Sequence, residues 1–259
     1  MESKKKEKMP SIPQIFSSLR DTPRWTLHRT LKSANPQDIQ GSLRGTASFT
    51  PLSLINANTN TNNDRNNNNN NLNNVNQDIL YSEEGSVPTG PLAGLRFSKK
   101  YIWRFTSTLA PNGGGGGGSA SMEPAEGVSV WFVKPSSTTT STSTSTSPED
   151  TDKNEKVEAD YLFHEFEVLD AKALSSAILD DDTFVTPPVP PADGQNTDHT
   201  TTTVVARGNH LCINDMYRTA YAFRVGRDSG DVVSWASRHV VRGPKKDQDI
   251  VNYYTREVV

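Results

Sequence analysis

Several features that identify common protein classes are missing from this sequence of 259 residues. It has a single cysteine, Cys212, so no disulfide framework can form, which fits a reducing compartment. No apolar run approaches the ~20 residues that a membrane-spanning helix needs. The formal net charge is only -3, which does not indicate a nucleic-acid partner. We therefore expect a cytoplasmic protein, and the lysine-rich first ten residues leave a nuclear location open.

Motifs that fix a particular chemistry are missing as well. The glycine run Gly113–Gly118 lacks the Lys-Ser/Thr pair and the helix of a phosphate-binding loop. His164-Glu165 lacks the second histidine of a metalloprotease motif. No His-x-His pair is followed by a carboxylate, and Cys212 has no second thiolate with which to form a structural zinc site. The sequence thus predicts no metal centre, and any catalytic residue stays unknown.

Low-complexity tracts interrupt the chain. Tracts rich in asparagine, in glycine, in serine and threonine, and in proline with aspartate and threonine are too polar to bury a core. About 150 residues remain without the tracts and the N-terminal tail, which is the size of one domain. We predict a disordered tail at 1–11 and one domain at 12–259. Loops are expected at 53–77, 109–127, 135–157 and 171–203, the last containing a short helix at 171–179.

The segments between the tracts alternate between apolar and polar residues with a period of two, as half-buried strands do. The clearest case is 95–108, where Phe97, Lys99, Tyr101, Trp103 and Phe105 share one face. A short helix is predicted at 12–19. Ten strands are predicted, at 24–31, 43–49, 79–87, 95–108, 128–134, 161–169, 204–214, 217–224, 232–241 and 250–258.

Ten strands without a long helix predict an all-β fold. An antiparallel sheet of that many twisted strands usually closes on itself or splits in two. Closure removes the exposed strand edges. We therefore predict an antiparallel up-and-down β-barrel, with a two-sheet β-sandwich as the alternative.

The same alternation places several polar rings on apolar strand faces. Barrels of this size can hold one small molecule inside. We predict an interior site for a small apolar or amphipathic ligand, with haem among the candidates and no other cofactor indicated. Its candidate residues are His164, His210, Tyr217, Tyr221, Trp235 and His239. The alternative for each histidine is a hydrogen-bonded core residue, and for each aromatic ring simple core filling.

A basic turn near the end of the chain is a second candidate site. Arg238, Arg242 and Lys245 could bind an anion such as a carboxylate or a phosphate. The competing interpretation pairs these cations with Asp247 and Asp249 at the surface. Exposed mixed charge is the ordinary state of a turn, which favours the paired arrangement.

Four segments resemble a known family: LRFSKKYIWRF, YLFHEFEV, GNHLCINDMYRTAYAF and WASRHVVRGPKKDQDIVNYYTR. They are similar to an uncharacterised domain-of-unknown-function family, number 6314, of fungi and bacteria that is described as lipocalin-like. The resemblance implies a calycin-type barrel, skips the low-complexity tracts and supplies no activity. Pro23 stands two residues before Trp25, where the lipocalin Gly-x-Trp signature has glycine. Lipocalin ligands are therefore not carried over.

Three functions are compatible with these observations. The first is a barrel that binds a small hydrophobic molecule. The second is a small-molecule enzyme that uses an interior histidine near Asp215 or Tyr217 as general acid or base, which requires a strongly shifted pKa in an accessible cavity. The third is a solid barrel that acts as an interaction module, whose protein partner is unknown. The first two functions require a hollow interior, whereas the third predicts an interior filled by side chains.

Overall fold

The computed structural model describes residues 10–53, 74–90, 92–111, 122–135, 156–169, 185–192, 200–244 and 246–257. Five predicted features lie wholly or mostly outside these residues: the tail at 1–11, the asparagine tract, the glycine run, the Ser/Thr tract and the helix at 171–179. Within the described ranges, no helix has the length and apolar character needed to cross a membrane.

One helix and eleven strands make up the described fold. The helix α1 spans Ile12–Asp21, close to its predicted position. The strands are β1 (Trp25–Ser33), β2 (Gly41–Pro51), β3 (Asn74–Ser86), β4 (Arg96–Pro111), β5 (Met122–Val133), β6 (Ala159–Glu165), β7 (Glu167–Leu169), β8 (Thr201–Cys212), β9 (Asp215–Gly226), β10 (Val232–Arg242) and β11 (Asp247–Arg256).

All eleven strands belong to one antiparallel sheet with the order β6-β5-β4-β3-β2-β1-β11-β10-β9-β8-β7. Neighbours in sequence pair with each other from β1 to β6 and from β7 to β11, and β1 also pairs with β11. The sheet curves into a nearly closed barrel. The prediction of an all-β up-and-down barrel is confirmed, and the alternative sandwich does not apply because one hydrogen-bonded sheet holds every described strand.

One extended segment brings the two edges of the sheet together. Its first part, Ala159–Glu165, pairs with β5, and its second part, Glu167–Leu169, pairs with β8. Phe166 lies between the two parts, and its amide donates a 2.7 Å hydrogen bond to the carbonyl of Val128. A single strand was predicted at 161–169. The change of partner divides it into β6 and β7, which raises the number of strands from ten to eleven.

Four strands extend into segments that were predicted to be loops. β3 already begins at Asn74, β4 continues to Pro111, β5 begins at Met122 and β8 begins at Thr201. The loop limits predicted at 53–77, 109–127 and 171–203 are too wide at these ends. The physical reason is that strand pairing satisfies backbone N–H and C=O groups whatever the polarity of the side chain.

Helix α1 covers one end of the barrel. It packs its buried apolar residues, Ile15, Phe16 and Leu19, against the interior cluster of the strands. Ser18 fixes it to the start of β10, because the Val232 amide donates a 2.8 Å hydrogen bond to the Ser18 hydroxyl. This end of the barrel is apolar and filled, so space for a ligand can exist only nearer the other end.

The close approach of β8 to β6 requires glycine at position 208. A Cβ atom there would lie 2.8 Å from the Glu165 carbonyl oxygen and closer still to the His164 ring, which Tyr221 holds by a 2.9 Å hydrogen bond. We expect Gly208→Ala to lower the free energy of unfolding by about 1–3 kcal/mol, the usual cost of overpacking. Gly127→Ala on β5 is the matched control, since nothing lies within 4 Å of its added Cβ. Urea unfolding measures both, and equal losses would contradict the packing argument.

Candidate functional site

A cavity of about 270 Å³ lies inside the barrel, displaced toward the end opposite α1. Ligand pockets commonly measure roughly 300–1,000 Å³, so this cavity suits a small molecule. Its walls come from β1, β3 to β6 and β9 to β11. Aromatic rings supply much of the wall: Tyr101, Trp103, Phe132, Phe163, Tyr217, Tyr221 and Trp235. Strand alternation explains the composition, because every second residue of each strand faces inward.

The cavity also contains an ion pair that is almost completely removed from solvent. Arg29 and Glu83 are only 5% and 3% exposed. Arg29 Nη2 lies 2.8 Å from both carboxylate oxygens, and Arg29 Nε donates to Asn252 Oδ1 at 2.6 Å. The Tyr81 hydroxyl donates to the same carboxylate at 2.6 Å and lies 2.9 Å from the Tyr254 hydroxyl. Burial acts to lower the pKa of Arg29, but Glu83 and the two tyrosines together raise it above its usual value.

Hydrogen bonds continue from this ion pair across the cavity wall. Asn252 Nδ2 donates to Ser237 Oγ at 2.9 Å, and Ser237 Oγ lies 3.2 Å from His239 Nε2. The other ring nitrogen, His239 Nδ1, lies 3.0 Å from Thr219 Oγ1. The network therefore joins side chains of β1, β3, β9, β10 and β11, which fixes the rotamers on one side of the cavity.

Two lysines add positive charge. Lys246 lies near the mouth of the cavity, where its ammonium donates to the Tyr217 hydroxyl and sits 5.2 Å from the centre of the Tyr217 ring. Lys99 lines the cavity but forms no hydrogen bond or ion pair with any residue in the described part of the chain. Lys99 is exposed and faces the cavity. Partial desolvation by the surrounding protein and the charge of Arg29 lower the pKa of Lys99, while the charge of Glu83 acts to raise it.

The charges that line the cavity do not balance. Arg29, Lys99 and Lys246 are cations, and Glu83 is the single anion among the lining residues that are described. Three cations against one anion leave a net charge of +2 when the histidine is neutral. The wall is therefore both aromatic and electropositive.

The three histidines that the sequence analysis singled out occupy different positions. His239 lines the cavity with both nitrogens hydrogen-bonded, while His164 and His210 do not line it. His164 is 2% exposed and shares its 2.9 Å hydrogen bond with Tyr221. Burial, reinforced by His210, lowers the pKa of His164 to about 3. Burial is also the main cause that holds the pKa of His239 well below its usual value, so both rings are neutral at pH 7.

The structure brings together four of the six predicted ligand-binding residues: Tyr217, Tyr221, Trp235 and His239 line one cavity. Trp235 stacks on Tyr254 with ring centres 3.5 Å apart. Its indole N–H is buried and has no hydrogen-bond partner among the described residues. This arrangement gives haem little support, because the one histidine on the described cavity wall already has both nitrogens engaged.

The charged residues of the cavity were missed by the sequence analysis. Alternation does put Arg29 on the face of Trp25, and Lys99 on the face of Trp103, but neither was assigned to the site. Glu83 was missed in the same way. The signal that identifies all three is a charge at an inward position of an otherwise apolar strand face, which is rare unless the charge is paired or functional.

The basic turn has a different organisation. Arg238 makes two hydrogen bonds to Asp249, at 2.9 and 2.7 Å, and Arg242 pairs with Asp247. Lys245 lies outside the described residues. Both guanidinium groups are thus already engaged by carboxylates, as in the competing interpretation of this turn. In the described ranges, no group of three His, Cys, Asp or Glu side chains is placed to hold a metal ion.

The buried ion pair leads to a stability prediction. Glu83→Gln leaves the Arg29 charge buried and unpaired, so we expect the free energy of unfolding to fall by about 3–5 kcal/mol. Glu167→Gln is the matched control, because it makes the same change in an Arg–Glu pair whose carboxylate is 61% exposed. Its expected loss is about 0–1 kcal/mol. Urea unfolding followed by tryptophan fluorescence measures both. Similar losses would contradict the buried character of the Arg29–Glu83 pair.

Comparison with known proteins adds a family but no activity. The model described as "Family of unknown function (DUF6314)" matches residues 126–256, just over half of the chain. The matched span contains most of β5 and all of β6 to β11, so the cavity residues of β1, β3 and β4 lie before it. No curated protein and no solved structure was found to match the chain.

Proposed function

We propose, for a chain that belongs to the Family of unknown function (DUF6314), that the barrel binds one small amphipathic molecule in its interior. The observation that carries this proposal is the cavity of about 270 Å³ with aromatic walls and a charged, hydrogen-bonded side. Protein cores contain few voids larger than a water molecule. A cavity of this size, lined by ordered polar groups, is therefore more readily explained as a binding site than as a packing defect.

The mixed character of the wall supports an amphipathic ligand. Rings such as Trp103 and Phe132 offer apolar contact, and aromatic pairs favour a flat partner. The Lys99 ammonium also lines the cavity, and it forms no hydrogen bond with the described residues. A ligand with a polar group can pair with this ammonium, which a purely apolar ligand cannot do.

The state of His239 favours binding over acid–base catalysis. A general base works best with a pKa near the operating pH and a free nitrogen directed at the substrate. His239 lines the cavity with a strongly lowered pKa, as the enzyme hypothesis requires, but its two nitrogens are hydrogen-bonded to Thr219 and Ser237, so neither is free to face a substrate. We assign it a positioning role in the polar network.

The proposal has three further parts that come from the sequence. A lipocalin-like character is supported by the up-and-down barrel with its interior cavity. Occurrence in fungi and bacteria rests on the family resemblance of the strand segments. A cytoplasmic location is supported by the single cysteine, which fits a reducing compartment.

Binding is tested with two valine variants of the full-length protein. Val241 lines the cavity, whereas Val240 lies on the opposite face of β10. We expect 1-aminoanthracene, a neutral aromatic probe, to bind wild type at one saturable site. Val241→Trp should weaken binding at least about tenfold by filling the cavity, and Val240→Trp should leave it unchanged. Fluorescence titration gives the affinities, and native mass spectrometry of freshly purified protein detects any retained ligand.

Two results would contradict the proposal. One is a bare polypeptide mass together with no saturable binding of the probe to wild type. The other is equal binding to the two tryptophan variants, since the probe would then lie outside the cavity. Circular dichroism and thermal unfolding of both variants confirm that they are folded before their affinities are compared.

A further inference from the structure

We propose that the ligand is a small carboxylate with a flat apolar body, and that its carboxylate pairs with the ammonium of Lys99 inside the barrel. This inference rests on the proposed binding function and adds the chemical class of the ligand.

Lys99 occupies an inward position on β4. Phe97, Tyr101 and Trp103 share its face, and both Tyr101 and Trp103 line the cavity with it. Lys99 and the next residue, Lys100, are both exposed, but Lys100 lies on the outer face of the same strand. Lys99 lines the cavity, so an anionic group of a bound ligand can reach its ammonium and pair with it.

The described cavity wall offers Lys99 no carboxylate of its own. Glu83 lies directly opposite Lys99 in the β3–β4 register, which is the usual arrangement for a cross-strand ion pair. The Glu83 carboxylate is instead engaged by Arg29 at 2.8 Å and by Tyr81 at 2.6 Å. No other Asp or Glu is among the described residues of the cavity wall. Lys99 thus feels the charge of Glu83 but forms no ion pair within the described part of the chain.

The other lysine of the cavity is not equivalent. Lys246 lies near the mouth, and its ammonium already donates to the Tyr217 hydroxyl. A single unpaired interior ammonium matches one negative charge, as in a monocarboxylate.

The walls define the body of the ligand. Tyr101 and Phe163 are stacked at an interplanar angle of 16°, and both line the cavity. Trp235, on β10, is stacked on Tyr254 at 3°. Flat ring faces and a volume of about 270 Å³ suit a planar ligand of one or two rings better than a long acyl chain.

Three probes that share one ring system test the charge. They are 2-naphthoate, which is an anion, 2-naphthalenemethanol, which is neutral, and 2-naphthylmethylamine, which is a cation. We expect full-length wild-type protein to bind 2-naphthoate at least about tenfold more tightly than the alcohol, because hydrogen bonds to charged groups are the stronger ones. The amine should bind most weakly. Isothermal titration calorimetry at pH 7.5 gives the three values of Kd.

Three lysine-to-methionine variants locate the charge. Lys99→Met should remove the preference for 2-naphthoate while leaving the affinity for the alcohol within about threefold of wild type. Lys100→Met makes the same change one residue away, on the outer face of β4, and should bind like wild type. Lys246→Met should retain most of the preference. Lys99→Gln provides a second neutral variant should Lys99→Met not fold.

The outcomes separate this inference from the function on which it rests. Equal binding of 2-naphthoate and the alcohol to wild type overturns the carboxylate class and leaves the binding barrel intact. A preference that survives in both neutral Lys99 variants, or that is lost only in Lys246→Met, overturns the role of Lys99. Failure of all three probes to bind wild type overturns the binding function itself.

Discussion

The buried ion pair between Arg29 and Glu83 determines the rest of the barrel interior. Two charges this far from water are tolerated only when nearly every hydrogen-bonding group around them is used. Asn252 and Tyr81 supply hydrogen bonds from β11 and β3, while Glu83 Oε1 contacts Arg29 but has no hydrogen-bond partner among the described residues. Arg29 and Tyr81 already bind the Glu83 carboxylate, so Lys99, which lies opposite Glu83 in the sheet, forms no ion pair with it. The described cavity wall therefore carries a net positive charge.

The barrel is thereby divided along its axis. At the end covered by α1, apolar side chains such as Phe16 and Phe223 pack closely, which contributes the hydrophobic part of the stability. Toward the other end, the interior carries the polar network and the cavity. The network spans five strands, so it orients the side chains that a ligand would meet and reduces the ordering required on binding. Stability and recognition are thus placed in different halves of one sheet.

Much of the fold follows from the alternation of residues along each strand. A period of two sets the faces of β4, β9 and most of β10, which correctly groups Tyr217, Tyr221, Trp103 and Trp235 inside. Alternation cannot predict whether an inward residue lies at the level of the cavity along the barrel axis. His164 faces inward as its pattern indicates, but it lies against β8 and Tyr221 and does not reach the cavity.

Other features depend on pairing between segments that are distant in sequence. Phe166 marks a change of partner that no local pattern reports. A register irregularity between Val232 and Ser234 puts Val232 into the core, although simple alternation assigns Val233 to the face of Trp235. The contact of Arg29 with Glu83 joins β1 to β3, two strands that are not adjacent in the sheet, so it too needed the three-dimensional structure.

A crystal structure of the protein with 6-bromo-2-naphthoate would show whether the barrel is hollow and holds an anionic ligand against Lys99, because the anomalous signal of bromine locates the ring without ambiguity. We expect a bromine peak among the aromatic walls and a carboxylate about 3 Å from the Lys99 ammonium. A barrel whose interior is filled by its own side chains, with bromine found only on the outer surface, would contradict it.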